Sequence, residues 1–99
     1  MSNALKLMNK SIREQFGKRL RRLIRARRFT QREIAFSLGI KESYLHRVLA
    51  GNEFLSNKAI AIAAAKLDVS VHDLFEGIEI PNIVHFALIE EKEESYELP

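Results

Sequence analysis

The chain has 99 residues, 46% of them hydrophobic, with no cysteine and a formal net charge of +3. This length predicts one domain with a modest core, and the lack of cysteine excludes disulfides and thiolate metal sites. No apolar run is long enough to span a membrane and the N-terminus does not read as a signal peptide, so we expect a cytoplasmic protein.

The charge is divided unevenly between the two halves of the chain. Residues 1–50 hold 13 Lys/Arg against 3 Asp/Glu, a balance of +10, whereas residues 51–99 hold 3 against 10, a balance of −7. A basic half of this kind indicates a polyanion as partner. Two oppositely charged, solvated faces that attract each other are the plainer interpretation.

The first predicted helix follows an N-terminal extension, residues 1–10. Ser11 and Glu14 have the spacing of a capping box, so we expect this helix to begin at Ser11. Its remaining positions are mostly arginine and lysine, which together would form an electrostatic footprint for phosphate. Its apolar positions, at helical spacing, are Ile12, Phe16, Leu20, Leu23 and Ile24.

Two short amphipathic helices are predicted next, over Gln31–Leu38 and Lys41–Ala50. Thr30 and Glu33 form a capping box for the first, and Gly39 permits the sharp exit between them. The later helix lacks a capping side chain at Lys41, which leaves its first amides to water or to a phosphate. A helix, a short turn at Gly and a second helix with a polar outer face are typical of a helix-turn-helix.

Two further helices follow a loop over residues 52–55. Ser56 is predicted to cap the fourth, and Ser70 with Asp73 to cap a short fifth helix that ends at Gly77. The four glycines stand singly, and we place them at the ends of elements, so no Gly-rich phosphate loop is expected.

Residues 78–89 are too apolar for a solvated end. They predict either a strand, which their β-branched content favours, or a sixth helix. Packing onto their own domain and pairing with a second subunit are both compatible with this composition. Residues 90–99 are predicted to be an acidic, largely disordered tail.

The pattern resembles the lambda-repressor/Cro-like family, also called XRE-type regulators. The resemblance rests on Phe29-Thr30-Gln31, Ala35, Gly39, the run Ser43 to Val48, Gly51, Ser56 and the ending from Lys66 to Phe75. It covers roughly Phe16 to Phe75 and implies an all-α, compact five-helix helix-turn-helix domain over residues 11–77. Arg28 stands where the family usually carries Gly, so we expect a differently built loop there. Leu49 replaces an acidic residue, in the core or on a partner surface.

The resemblance implies double-stranded DNA as partner, read by the third helix in the major groove. The implied base-contacting residues are Glu42, Ser43, His46 and Arg47. The candidates for the DNA backbone are Gln31, Arg32, Lys41, Tyr44, Asn52, Arg28 and Arg19, with packing the favoured role for Tyr44. Family members usually dimerise, and the candidate dimer residues are Phe75, Ile80, Val84, Phe86 and Leu88.

The leading function is a sequence-specific transcriptional regulator, a repressor that binds an inverted repeat as a homodimer. The alternative is an antitoxin-type module whose C-terminal segment binds a partner protein and whose helix-turn-helix autoregulates. An enzyme is not expected, because no nucleophile has a base beside it in the pattern and the three histidines lack metal-ligand spacing. We expect neither a cofactor nor a separate small-molecule domain.

Overall fold

The computed structural model describes residues 3–79, apart from the side chains of residues 3–5 and 8. This part of the chain is all-helical and contains no strand. Its helices are α1 (Asn3–Ala26), α2 (Gln31–Leu38), α3 (Glu42–Leu49), α4 (Asn57–Leu67) and α5 (Val71–Leu74). The five-helix architecture predicted from the sequence is therefore confirmed.

The predictions for residues 80–99 lie outside the described residues. They concern the choice between strand and helix up to residue 89, the acidic tail, and the candidate dimer residues Ile80, Val84, Phe86 and Leu88.

One apolar core joins all five helices. α1 packs on α3 and α5, α2 packs on α3 and α4, and α4 packs on α5. Phe16 and Leu20 of α1 are fully buried in this core, together with Ile34 of α2 and Leu45 of α3. Because α3 contributes only one side to the core, its opposite side remains in solvent.

The predicted start of α1 at Ser11 is wrong, because the helix begins at Asn3. Residues 4–8 are Ala, Leu, Lys, Leu and Met, which are strong helix formers, so nothing before Ser11 ends a helix. Ser11 does not act as a cap, and its hydroxyl instead accepts a hydrogen bond from Gln15 Nε2 at 3.0 Å. Glu14 pairs with Lys10 at 3.9 Å, one helical turn away.

The other three predicted side-chain caps are confirmed. Thr30 and Glu33 form a reciprocal capping box on α2, and Ser70 and Asp73 form one on α5. Ser56 Oγ accepts the Ala59 amide of α4 at 3.1 Å. These local signals fix the starts of three helices independently of the core.

Four helices end in the same hydrogen-bonded arrangement, with one residue in the left-handed conformation. At the end of α2, the Gly39 amide donates to the Phe36 carbonyl oxygen and the Ile40 amide donates to that of Ala35. These are the two hydrogen bonds of a Schellman motif. The left-handed residues are Arg28 after α1, Gly39 after α2, Gly51 after α3 and Asp68 after α4. After α1, α2 and α4 the next residue is apolar and packs on the core, namely Phe29, Ile40 and Val69.

Arg28 corrects the expectation of a differently built loop after α1. It adopts φ 60°, the conformation in which this family usually places Gly. Its amide donates to Arg25 and the Phe29 amide donates to Ile24, so the motif is complete without Gly. The hydrogen bonds and the burial of Phe29 offset the cost of a Cβ at this φ, about 1 kcal/mol.

Gly17 corrects the placement of all four glycines at element ends, since it lies in the middle of α1. A Cβ on Gly17 would stand 2.5 Å from the Leu49 carbonyl oxygen and 2.7 Å from that of Val48. The lack of a side chain therefore lets the C-terminal end of α3 lie directly against α1.

Candidate nucleic-acid interface

The polar side of α3 is the candidate interface, and the core sets its direction. Leu45, Val48 and Leu49 are buried, so the α3 residues between them turn to solvent. Glu42, Ser43, His46 and Arg47, the four predicted base-contacting residues, are all exposed. The structure thus brings these four onto one exposed side of one helix, as a groove-reading helix requires.

Leu49 belongs to the core, being 4% exposed, rather than to a partner surface. It lies beside α1, where its carbonyl oxygen approaches Gly17. An apolar residue here, in place of the family's acidic one, adds to the anchor between α3 and α1. The buried end of α3 is therefore held by packing and needs no ion pair.

The C-terminal end of α3 is also held from the loop that follows it. Gly51, at φ 85°, packs so closely on α1 that a Cβ would stand 2.8 Å from Glu14 Cα. Arg13 Nε donates to the Gly51 carbonyl oxygen at 3.4 Å. Two close backbone contacts with α1, at Gly17 and Gly51, therefore fix the direction in which α3 points.

The N-terminal end of α3 is free in comparison. Lys41 is the N-cap residue, with extended φ and ψ, and makes no side-chain capping hydrogen bond, as the sequence predicts. Glu42 and Ser43 in the first turn are exposed beside these amides. Amides at a helix N-terminus favour an anion, so this end suits a phosphate.

Tyr44 performs a positioning role that the sequence shows only in part. Its Oη donates to the Phe54 carbonyl oxygen at 2.6 Å, which ties α3 to the loop before α4. The Arg47 Cζ lies 5.4 Å from the centre of the Tyr44 ring, a cation–π distance. Packing, the favoured role for Tyr44, is what the structure shows, and the ring in addition steadies Arg47.

The candidate backbone-contacting residues divide into two groups. Gln31 and Arg32 lie in the first turn of α2, Lys41 precedes α3, and Asn52 follows it. Arg28 lies in the loop before α2. Arg32, Lys41, Asn52 and Arg28 are exposed and Gln31 is half-buried.

Arg19 is engaged elsewhere. Its Nε donates to the Asp73 carbonyl oxygen at 3.1 Å, and its Nη2 pairs with Glu76 Oε2 at 3.3 Å. These bonds join α1 to α5 rather than presenting the guanidinium beside α3. The Arg19 guanidinium is therefore bound within the chain and does not join the cations around α3.

Phe75, a candidate dimer residue, packs within its own chain. Its ring lies 4.9 Å from the ring of Phe16 and 6.1 Å from that of Phe54, measured between centroids. Phe16 and Phe54 are themselves in edge contact at 4.8 Å. This aromatic cluster closes the core between α1, α5 and the loop before α4.

Two ion pairs join side chains within residues 3–79, Lys10–Glu14 and Arg19–Glu76. Neither includes Arg28, Arg32, Lys41 or Arg47, so these cations are not neutralised by carboxylates of the described part.

No helix in this part is long and apolar enough to cross a membrane. His and carboxylate side chains of the same residues form no group that could hold a metal ion.

A positioned, exposed polar helix among unpaired cations is the arrangement of a helix-turn-helix DNA-binding regulator. A family model described as a helix-turn-helix domain matches residues 15–76, more than half of the chain. The chain therefore belongs to the lambda-repressor/Cro-like, XRE-type helix-turn-helix family, and it is a DNA-binding transcription regulator.

A solved structure supports the same assignment. The restriction-modification controller protein C.AhdI from Aeromonas hydrophila is 35% identical and superposes with a TM-score of 0.60. The similarity covers 64% of this chain and 96% of C.AhdI. A search of curated proteins finds no match.

Proposed function

We propose that the protein is a sequence-specific repressor that binds an inverted repeat as a homodimer. The observation that carries the proposal is the anchored α3, which presents Glu42, Ser43, His46 and Arg47 to solvent on one side. Side chains of these types pair with base edges in the major groove. The similarity to a restriction-modification controller protein supports a role in controlling a restriction-modification system.

Arg47 is the residue that we expect to contribute most to sequence choice. An arginine can donate two hydrogen bonds to guanine O6 and N7, which is worth roughly 1–3 kcal/mol of discrimination. The Tyr44 ring, 5.4 Å from the Arg47 Cζ, limits the positions that the guanidinium adopts. Glu42 would accept from cytosine N4 and would also repel misplaced phosphates, which excludes wrong sequences.

The phosphate contacts would surround this reading helix. Gln31 at the start of α2 and Lys41 before α3 both stand at helix N-termini, where amides also face outward. Arg28, Arg32 and Asn52 are exposed in the neighbouring turns. Such contacts set the position and orientation of α3 on the duplex but carry no direct sequence information.

Selection of bound oligonucleotides from a random pool tests this function directly. We expect enrichment of one motif with two inverted half-sites whose centres are about 34 Å apart along the duplex. The folded protein with Glu42, Ser43 and Arg47 all changed to Ala is the matched control, and it should enrich no motif. If the unchanged protein enriches no motif while retaining its helical circular dichroism, the sequence-specific function is wrong.

The dimer is proposed because a single α3 of 8 residues offers a small reading surface. α5 contributes one exposed apolar side chain, Val71, which is 47% exposed. We expect sedimentation at tens of micromolar, with and without the selected duplex, to give a dimer. Val71→Glu should favour the monomer without unfolding α5, since an acidic residue suits its first turn. Ala61→Glu, at an exposed position of α4, is the control.

A pure monomer both free and on DNA would contradict the dimer.

The sign of regulation is tested separately, with a reporter whose promoter overlaps the selected site. We expect the protein to lower reporter expression, because a bound dimer covers sequence that the polymerase needs. A rise in expression that depends on Arg47 would identify an activator instead.

A further inference from the structure

A second cationic surface lies on α1, apart from the interface on α3. Its four side chains follow helical spacing, and together they line one shallow concavity. Two residues along an α-helix turn it by about 200°, so Lys18 points away from buried Phe16, and Arg22 points away from buried Leu20. The members of this α1 stripe are Lys18, Arg21, Arg22 and Arg25.

The α1 stripe has no carboxylate partner within residues 3–79. The ion pairs of that range, Lys10–Glu14 and Arg19–Glu76, use other cations. Glu14 is the only acidic residue in α1, against eight Lys and Arg. Arg21 is four residues after Gly17, where α1 contacts α3, so the stripe lies beside this contact and outside the core.

The last described residue, Glu79, lies beside this stripe because the Gln15 side chain binds the Glu79 backbone. Gln15 Nε2 donates to the Glu79 carbonyl oxygen, and the Glu79 amide donates to Gln15 Oε1, each at 2.7 Å. Lys18 and Arg22 are three and seven residues after Gln15, so all three share one face of α1. Gln15 therefore fixes the point from which residues 80–99 continue.

The segment after Glu79 includes an acidic stretch, residues 90–99, that is close enough along the chain to reach the stripe. Residues 90–99 contain Glu90, Glu91, Glu93, Glu94 and Glu97 against Lys92 alone. From Glu79 to Glu90 the chain has 11 residues, which span at most about 40 Å. Gln15 to Arg25 is 10 residues of α-helix, a rise of about 15 Å. The tail can thus reach the stripe without full extension.

We infer that residues 90–97 of the same chain bind the α1 stripe through their glutamates. The occupant follows from charge complementarity, from the unpaired state of the stripe within the described residues, and from the place where Gln15 releases the chain. The inference does not depend on DNA binding, because both surfaces belong to one molecule.

The attraction acts through many weak contacts. Single exposed ion pairs contribute little to stability, but a short tether gives the tail an effective concentration in the millimolar range. Exposed charges are screened when the Debye length falls to a few ångströms. Binding of the tail is therefore expected to be strong in low salt and lost in high salt.

A spin label on the tail tests the inference. The chain has no cysteine, so Ser95→Cys introduces a single thiol for the label in the full-length protein. In low salt we expect selective loss of amide NMR intensity over residues 18–25, restored by reduction of the label. The matched control carries Glu90→Gln, Glu91→Gln, Glu93→Gln and Glu94→Gln with the same label, and it should show no such loss.

Three outcomes would overturn the inference. The first is unchanged intensity over residues 18–25 in low salt, and the second is an equal loss in the glutamine control. The third comes from a mixture of two proteins, one carrying the spin label without nitrogen-15 and the other carrying nitrogen-15 without the spin label. It is a loss of intensity over residues 18–25 of the second protein as large as the loss seen when both labels are on one chain. That result would assign the tail to the stripe of a second copy. Disappearance of the effect at roughly 0.5 M salt supports an electrostatic contact.

Discussion

Arg47 already has a contact within its own helix before any ligand binds. Its guanidinium rests on the Tyr44 ring, and Tyr44 is fixed in turn by its hydrogen bond to Phe54. Ordering a long side chain costs about 0.5–1.5 kcal/mol on binding, and an arginine that is already confined by a contact loses less conformational entropy. The reading residue and the residue that steadies it are one helical turn apart.

Arg47→Ala should relax sequence choice more than it weakens binding overall. We expect the affinity for the selected site to fall by roughly 1–3 kcal/mol, with a much smaller loss on an unrelated duplex. Gln31→Ala is the comparison, because a phosphate contact should weaken both duplexes alike. Fluorescence anisotropy on the two duplexes measures both ratios. Equal losses for Arg47→Ala would assign Arg47 to the phosphate backbone.

Arg28 is a second residue whose backbone matters as much as its side chain. Since its φ is 60°, Arg28→Gly should stabilise the protein by up to roughly 0.5 kcal/mol, which is the strain relieved less the extra freedom of the unfolded chain. Arg28→Ala keeps the strain and removes the same charge. Thermal unfolding should therefore separate the two variants, while their affinities for DNA stay alike. A less stable Gly variant would show that the side chain contributes more than the strain costs.

At the scale of the elements, the close crossing of α1 and α3 depends on one missing side chain. Gly17→Ala improves helix propensity by up to about 1 kcal/mol but sets a Cβ against the Leu49 and Val48 carbonyls. We expect a net loss of stability of about 1–3 kcal/mol, because backbone atoms must move. Lys18→Ala, on the solvent side of α1, should stay within about 0.5 kcal/mol. Denaturant unfolding compares the two, and a stabilised Gly17→Ala would contradict the crossing.

Most of the element pattern could be predicted from the sequence because local chemistry and periodicity agree. Thr30 with Glu33, Ser56, and Ser70 with Asp73 each begin a helix where the structure has one. Ser11 with Glu14 has the same spacing but lies inside α1, since a capping pattern carries no information about good helix formers before it. Such a pattern defines a start only when the preceding residues cannot be helical.

The site was predictable as a set of exposed residues and not as a set of contacts. Periodicity places Glu42, Ser43, His46 and Arg47 outside because Leu45 and Val48 must be inside. The crossing at Gly17 and the bond from Tyr44 to Phe54 join residues that are distant along the chain or lie in different elements. No single-sequence pattern encodes such tertiary partners, and the role of Arg19 at α5 was missed for the same reason.

At the scale of the whole molecule, the free cations around α3 set the salt dependence of binding. Arg28, Arg32 and Lys41 are exposed in each subunit, which makes six for a dimer. Neutralising six phosphates gives a slope of log affinity against log salt of about −5. Lys41→Ala should reduce that slope by about two in a dimer, whereas Lys58→Ala on α4 should leave it unchanged. Titrations at several salt concentrations measure the slope, and a value near zero would exclude phosphate contact.

The turn after α2, with left-handed Gly39 and the apolar Ile40, restricts the insertions that this protein can tolerate. Gly39 and Ile40 form a connector in which the chain reverses and re-enters the interior with no slack. One added amino acid there would disrupt the pair of hydrogen bonds that ends α2 or displace Ile40 from the core. Surface loops ordinarily tolerate gains and losses of residues, but here a change of length would disturb both the helix end and a core contact. We therefore expect the sequence preference to change through exchange of the exposed side chains of α3 and not through lengthening of the turn before it.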